Sequence, residues 1–69
     1  MTSTTTPKFT SAALANIAET GADWSADLAA LRAGTLTASA LLGHCLDGAD
    51  DDRAEGWREY VATLEASIA

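Results

Sequence analysis

The chain has 69 residues and a formal net charge of −6, ten carboxylates set against four Lys and Arg. A domain of this length buries only about 60% of its unfolded surface. Its lone Cys45 and lone His44 exclude the usual staples of so small a fold, an internal disulfide and a structural zinc site. The acidic balance repels phosphate, which argues against direct nucleic-acid binding and against docking on anionic membranes.

Alanine supplies 16 of the apolar residues; it is the best helix former but buries little area. The larger apolar residues suffice for one core among closely approaching helices. No apolar run approaches the roughly 20 residues of a membrane span. A basic segment followed by an apolar one is missing from the first residues, so no secretory signal is expected. With the single thiol, this points to a cytoplasmic protein.

Residues 1–9 read as a flexible tail, rich in threonine and holding the only proline, and residues 10–69 as one helical domain. The first helix is predicted from about Ser11 to Thr20. Thr10 is its N-cap, Phe9 and Leu14 have the spacing of a hydrophobic staple, and Gly21 ends it. Leu14 and Ile17 form its inward face, flanked by Ala13 and Ala18. The second helix covers roughly Trp24 to Ala33, capped by Asp23 or Ser25 and stopped by Gly34. Trp24, Leu28 and Leu31 make its stripe.

The third helix runs from about Ala38 to Leu46 behind Thr37, with Leu41, Leu42, Cys45 and Leu46 inward and Gly48 at its end. The fourth is predicted from about Arg53 to Ser67. Asp52 and Glu55 stand at capping-box spacing before it, and Trp57, Val61, Leu64 and Ile68 recur along one face. The expected fold class is therefore all-α, a small bundle of three to four short helices with antiparallel neighbours.

Charge concentrates late in the chain. Residues 1–34 carry a net −1 and residues 35–69 a net −5. Asp47, Asp50, Asp51, Asp52 and Glu55 lie within nine residues. Carboxylates at a helix start are favoured by its dipole, each by about 0.3–1 kcal/mol. Capping explains one or two of them, but not all of these with Glu59 as well, because neighbouring like charges repel. The functional reading is an anionic face aimed at a basic partner surface, formed by Asp47, Asp50, Asp51, Asp52, Glu55 and Glu59. Tyr60 joins them as a partly exposed contact, since tyrosine is enriched at interface hot spots.

Other chemistries fit the residues poorly. Counted from Asp47, the sixth and twelfth positions are Asp52 and Arg58, where a calcium-binding EF-hand loop needs Gly and Glu. His44 and Cys45 are sequence neighbours, about 100° apart on a helix, and do not form a nucleophile–base pair. Cys45 reads as a small core residue and His44 as a surface or boundary one. The second and third helices resemble a helix-turn-helix, but the third offers no Arg or Lys to DNA. Trp57 reads as a core anchor. No catalytic residue, metal ligand or cofactor site is expected, and the chain is not expected to be an enzyme.

With Asp47 through Glu59 as the residues that carry the resemblance, the chain is similar in size, charge sign and lack of catalytic apparatus to the small acidic inhibitors encoded by phages and mobile elements. These include anti-CRISPR proteins that imitate DNA. The resemblance implies a basic, nucleic-acid-binding subunit of a CRISPR effector as partner, occluded by the acidic residues. The alternative is a homodimeric or heteromeric helical assembly or regulatory module, antitoxin-like, whose alanine-rich faces pack on a copy or on another helical protein.

Overall fold

The computed structural model describes residues 7–68. The tail expected at the start lies, for residues 1–6, outside the described residues. The fold is all-α: α1 (Ser11–Thr20), α2 (Trp24–Ala33), α3 (Ala38–Leu46) and α4 (Asp51–Ile68).

Each short helix begins on the side chain the sequence marks for it. The Thr10 hydroxyl accepts the Ala13 N–H, the Asp23 carboxylate that of Ala26, and the Thr37 hydroxyl that of Ala40. Each satisfies an amide that would otherwise be orphaned in the first turn. At the end of α2, Gly34 takes φ 78°, from which its N–H reaches back to the Ala30 and Leu31 carbonyls. A side chain there would be strained.

The start of α4 differs from expectation. The Asp50 carboxylate accepts the Arg53 N–H at 2.9 Å and the Asp50 carbonyl accepts the Ala54 N–H at 2.8 Å. Asp50, not Asp52, is therefore the cap, and the helix gains two residues at its start. Asp51 and Asp52 fall in the first turn, where the dipole favours them.

α1 and α2 do not pair chiefly with their sequence neighbours. α1, α2 and α3 each pack mainly on α4. Helix length explains this arrangement: α4 is about 27 Å long and the others about 15 Å or less, so only α4 is long enough to receive all three. Trp57, Tyr60, Val61 and Leu64 of α4 meet Ala13 of α1, Leu28 and Leu31 of α2, and Leu41 of α3 in the buried core. Phe9, Ile17, Trp24, Leu36, Leu42, Cys45 and Leu46 pack around them.

Three expectations are corrected by this packing. Leu14 does not face inward but is 52% exposed, while Ala13 and Asn16 are buried. Small residues point at α4 because α1 crosses it at Gly56, where a Cβ would meet Asn16 Nδ2 and come within 2.8 Å of the Ala12 carbonyl oxygen. A leucine on that line would hold the helices apart. Second, Ile68 closes the apolar stripe of α4 exposed, past the end of the core. Third, Phe9 is no part of a loose tail. Its ring stacks on Tyr60 at 5.4 Å and meets Trp24 edge-on at 6.0 Å, geometries that aromatic quadrupoles favour.

Candidate acidic interface

The α3–α4 loop and the outer face of α4 carry the acidic residues singled out by sequence. Asp47, Asp50, Asp51, Asp52 and Glu55 are exposed, and Glu59 is half-buried. At about 100° per residue, Asp51, Asp52, Glu55, Glu59 and Glu65 fall within an arc of about 140° on α4. The core residues Trp57, Tyr60, Val61 and Leu64 occupy the opposite side, so burial of the apolar stripe forces the carboxylates outward together. Arg58 lies exposed on the same arc.

The other arginine of the run has its ion-pair partner outside the run. Arg53 turns towards α1, where its guanidinium pairs with Glu19 at 2.5 Å. Both side chains are well exposed, and such a pair contributes little to stability, about 0–1 kcal/mol. Arg53 lines the same cleft as Glu19, Asp50 and Asp52. Glu59 is held from the other side: the Thr10 hydroxyl donates to its Oε2 at 3.1 Å.

Tyr60 does not belong to this surface. It is fully buried, and its hydroxyl donates to Asp27 Oδ2 of α2 at 2.6 Å. Burial pushes the phenol well above its ordinary range, and the hydrogen bond and charge of Asp27 add to this. A tyrosine hydroxyl needs a partner when buried; here the partner is internal, so the ring is a core element. Trp57 is also buried and meets Tyr60 edge-on at 5.2 Å.

Cys45 is half-buried beside this polar pair, and burial with the Asp27 charge raises its thiol. That environment opposes the thiolate a reactive cysteine needs. His44 is exposed. Among the described residues, no three His, Cys, Asp or Glu side chains are placed to hold a metal ion. No helix there is long and apolar enough to cross a membrane.

Two shallow clefts open near the acidic run. One, of about 370 Å³, lies between the α3–α4 loop and the end of α1, with Cys45, Asp47 and Trp57 on its walls. The other, of about 310 Å³, lies between α1 and the first turn of α4. It brings Glu19 and Asn16 to the acidic surface, neither of which stood out in the sequence. Asn16 is 4% exposed, and its Nδ2 donates to the Arg53 carbonyl at 2.9 Å. The mid-helix Gly56 could have flagged this crossing, because glycine inside a helix usually has a packing reason.

Comparison with known protein families, with curated proteins and with solved structures gives no match for this chain.

Proposed function

We propose that the protein is an acidic protein-binding inhibitor that occludes a basic, nucleic-acid-binding surface of a partner protein, acting as a mimic of nucleic acid. The observation that carries this reading is the concentration of exposed carboxylates on α4 and its entry loop, where Arg58 is the one exposed cation. Asp47, Asp50, Asp51, Asp52 and Glu55 are exposed, and the intervening cation, Arg53, is engaged by Glu19. A groove lined by Arg and Lys would meet a row of carboxylates where it ordinarily meets phosphates. Such complementarity speeds association and selects partners more than it adds raw affinity. The likeness to phage and mobile-element inhibitors suggests a CRISPR effector subunit as one such partner.

The test is capture from a nuclease-treated lysate, with the wild-type chain and with Asp50→Asn, Asp51→Asn, Asp52→Asn combined. Asparagine at position 50 keeps the cap while three charges are removed. The expected result is a basic nucleic-acid-binding protein that elutes with salt from the wild type and is poorly retained by the variant. Equal retention in moderate salt would overturn the proposal.

A second reading, assembly with a copy of the chain or with another helical protein, draws on Leu14, which stands 52% exposed on the outer side of α1. Light scattering in high salt separates the two: a persistent dimer favours assembly, and a monomer favours the charge-driven binder.

A further inference from the structure

Pro7, Lys8 and Phe9 lie against the helices without a hydrogen bond to them among the described residues. The segment's own backbone bond, from the Phe9 N–H to the Pro7 carbonyl at 2.9 Å, is internal. Its hold on the body is the half-buried Phe9 ring. The ring stacks on Tyr60 of α4 at 5.4 Å with 16° between the planes, and meets Trp24 of α2 edge-on at 6.0 Å. The polar ties begin one residue later. The Thr10 hydroxyl accepts the Ala13 N–H and donates to Glu59 Oε2, so α1 is started and fastened to α4 behind the ring and not by it.

What lies beneath the ring is satisfied without it. The Tyr60 hydroxyl has its partner in Asp27 at 2.6 Å, and the Tyr60 ring also meets Trp57 edge-on. Withdrawal of Phe9 therefore breaks no hydrogen bond of the body and takes away only a flat apolar occupant. A segment held by one side chain belongs to the low-stability end of a fold, which opens before the core does. The surface it covers offers one aromatic face and a second ring at a steep angle to it. Aromatic quadrupoles make that arrangement complementary to another aromatic ring, a side-chain type that commonly anchors interfaces.

We infer that Trp24 and Tyr60 form a seat for one aromatic side chain, filled from within the chain by a strap of residues 7–9. An aromatic residue of a partner segment takes the seat in exchange for Phe9, with α1 to α4 left in place. The seat lies on the core side of α4, away from the acidic arc, and stands whether or not that arc meets a basic partner.

The probe is N-acetyl-L-phenylalaninamide, one phenylalanine side chain between two amides. It is titrated into the full wild-type chain and into Phe9→Ala, and the indole N–H signals of the two tryptophans are followed by ¹⁵N–¹H NMR. Apparent affinity falls in proportion to the fraction of molecules whose site is open, so a seat filled in about nine molecules of ten weakens binding about tenfold. The expected result is a shift of the Trp24 indole in Phe9→Ala, with binding to the wild type weaker by roughly tenfold or more. Should Phe9→Ala be partly unfolded, the probe must raise its melting temperature and leave that of the wild type unmoved. A folded Phe9→Ala whose Trp24 indole stays still, equal affinity for the two chains, or an unfolded Phe9→Ala that the probe does not stabilise would overturn the seat. None of these outcomes bears on the acidic face, which the charge variant tests.

Discussion

Gly56 of α4 and Asn16 of α1 approach so closely that there is no room between them for a methyl group. The contact sets the distance between the two helices and sends the Asn16 amide onto the Arg53 carbonyl. Glycine to alanine in a helix interior ordinarily stabilises by roughly 0.5–1 kcal/mol. Here the added Cβ meets the Ala12 backbone, which can yield only by moving α1. We expect Gly56→Ala to destabilise the protein, by about 1–3 kcal/mol as for other overpacked sites, measured by urea denaturation. A gain in stability would show that α1 is not packed as described.

The Tyr60 hydroxyl and the Asp27 carboxylate form the one polar tie between α2 and the centre of the core seen among the described residues. Asp27→Ala leaves a buried donor unpaired and should cost about 1–3 kcal/mol. The tie also predicts the alkaline behaviour. The phenol is raised in the folded state above its unfolded value of about 10. Above that pH the unfolded chain releases a proton that the folded chain keeps. Stability is therefore fully present below about pH 10 and declines as pH rises beyond it, by up to about 1.4 kcal/mol per unit. Tyr60→Phe removes this group and should flatten that part of the profile while lowering stability at neutral pH.

Capping at α4 separates two aspartates that look alike in sequence. Asp50→Ala removes the side chain that accepts the Arg53 N–H and should cost about 0.5–2 kcal/mol. Asp52→Ala removes only a charge in the first turn, for about 0.3–1 kcal/mol. Thermal unfolding of the two variants side by side would distinguish them. An equal loss would contradict the assignment of the cap to Asp50.

Much of the fold is legible in the sequence because its signals are local. Thr10, Asp23 and Thr37 start α1, α2 and α3, and Gly21 and Gly34 end the first two, at the residues the caps and glycines mark. Where three aspartates in a row all qualify as caps, the pattern alone places the start of α4 two residues late. What the sequence hides is set by packing at a distance. Leu14 turns outward and Asn16 inward because α1 must pass over Gly56. Tyr60 is buried because Asp27, 33 residues away, satisfies its hydroxyl. In the acidic region, the exposure of Asp51, Asp52 and Glu55 is readable from helical phase, whereas the pairing of Arg53 with Glu19 depends on the tertiary approach of α1.

The central claim is that this surface takes the place of nucleic acid on a basic partner. The most direct measurement is competition on the protein captured from the nuclease-treated lysate, with fluorescent duplex DNA bound to it and this chain added. Wild type should release the DNA with a midpoint that weakens steeply as salt rises, and the Asp50→Asn, Asp51→Asn, Asp52→Asn variant should release little. A complex that holds the DNA and this chain together, or release by the triple variant at the wild-type midpoint, would contradict the account.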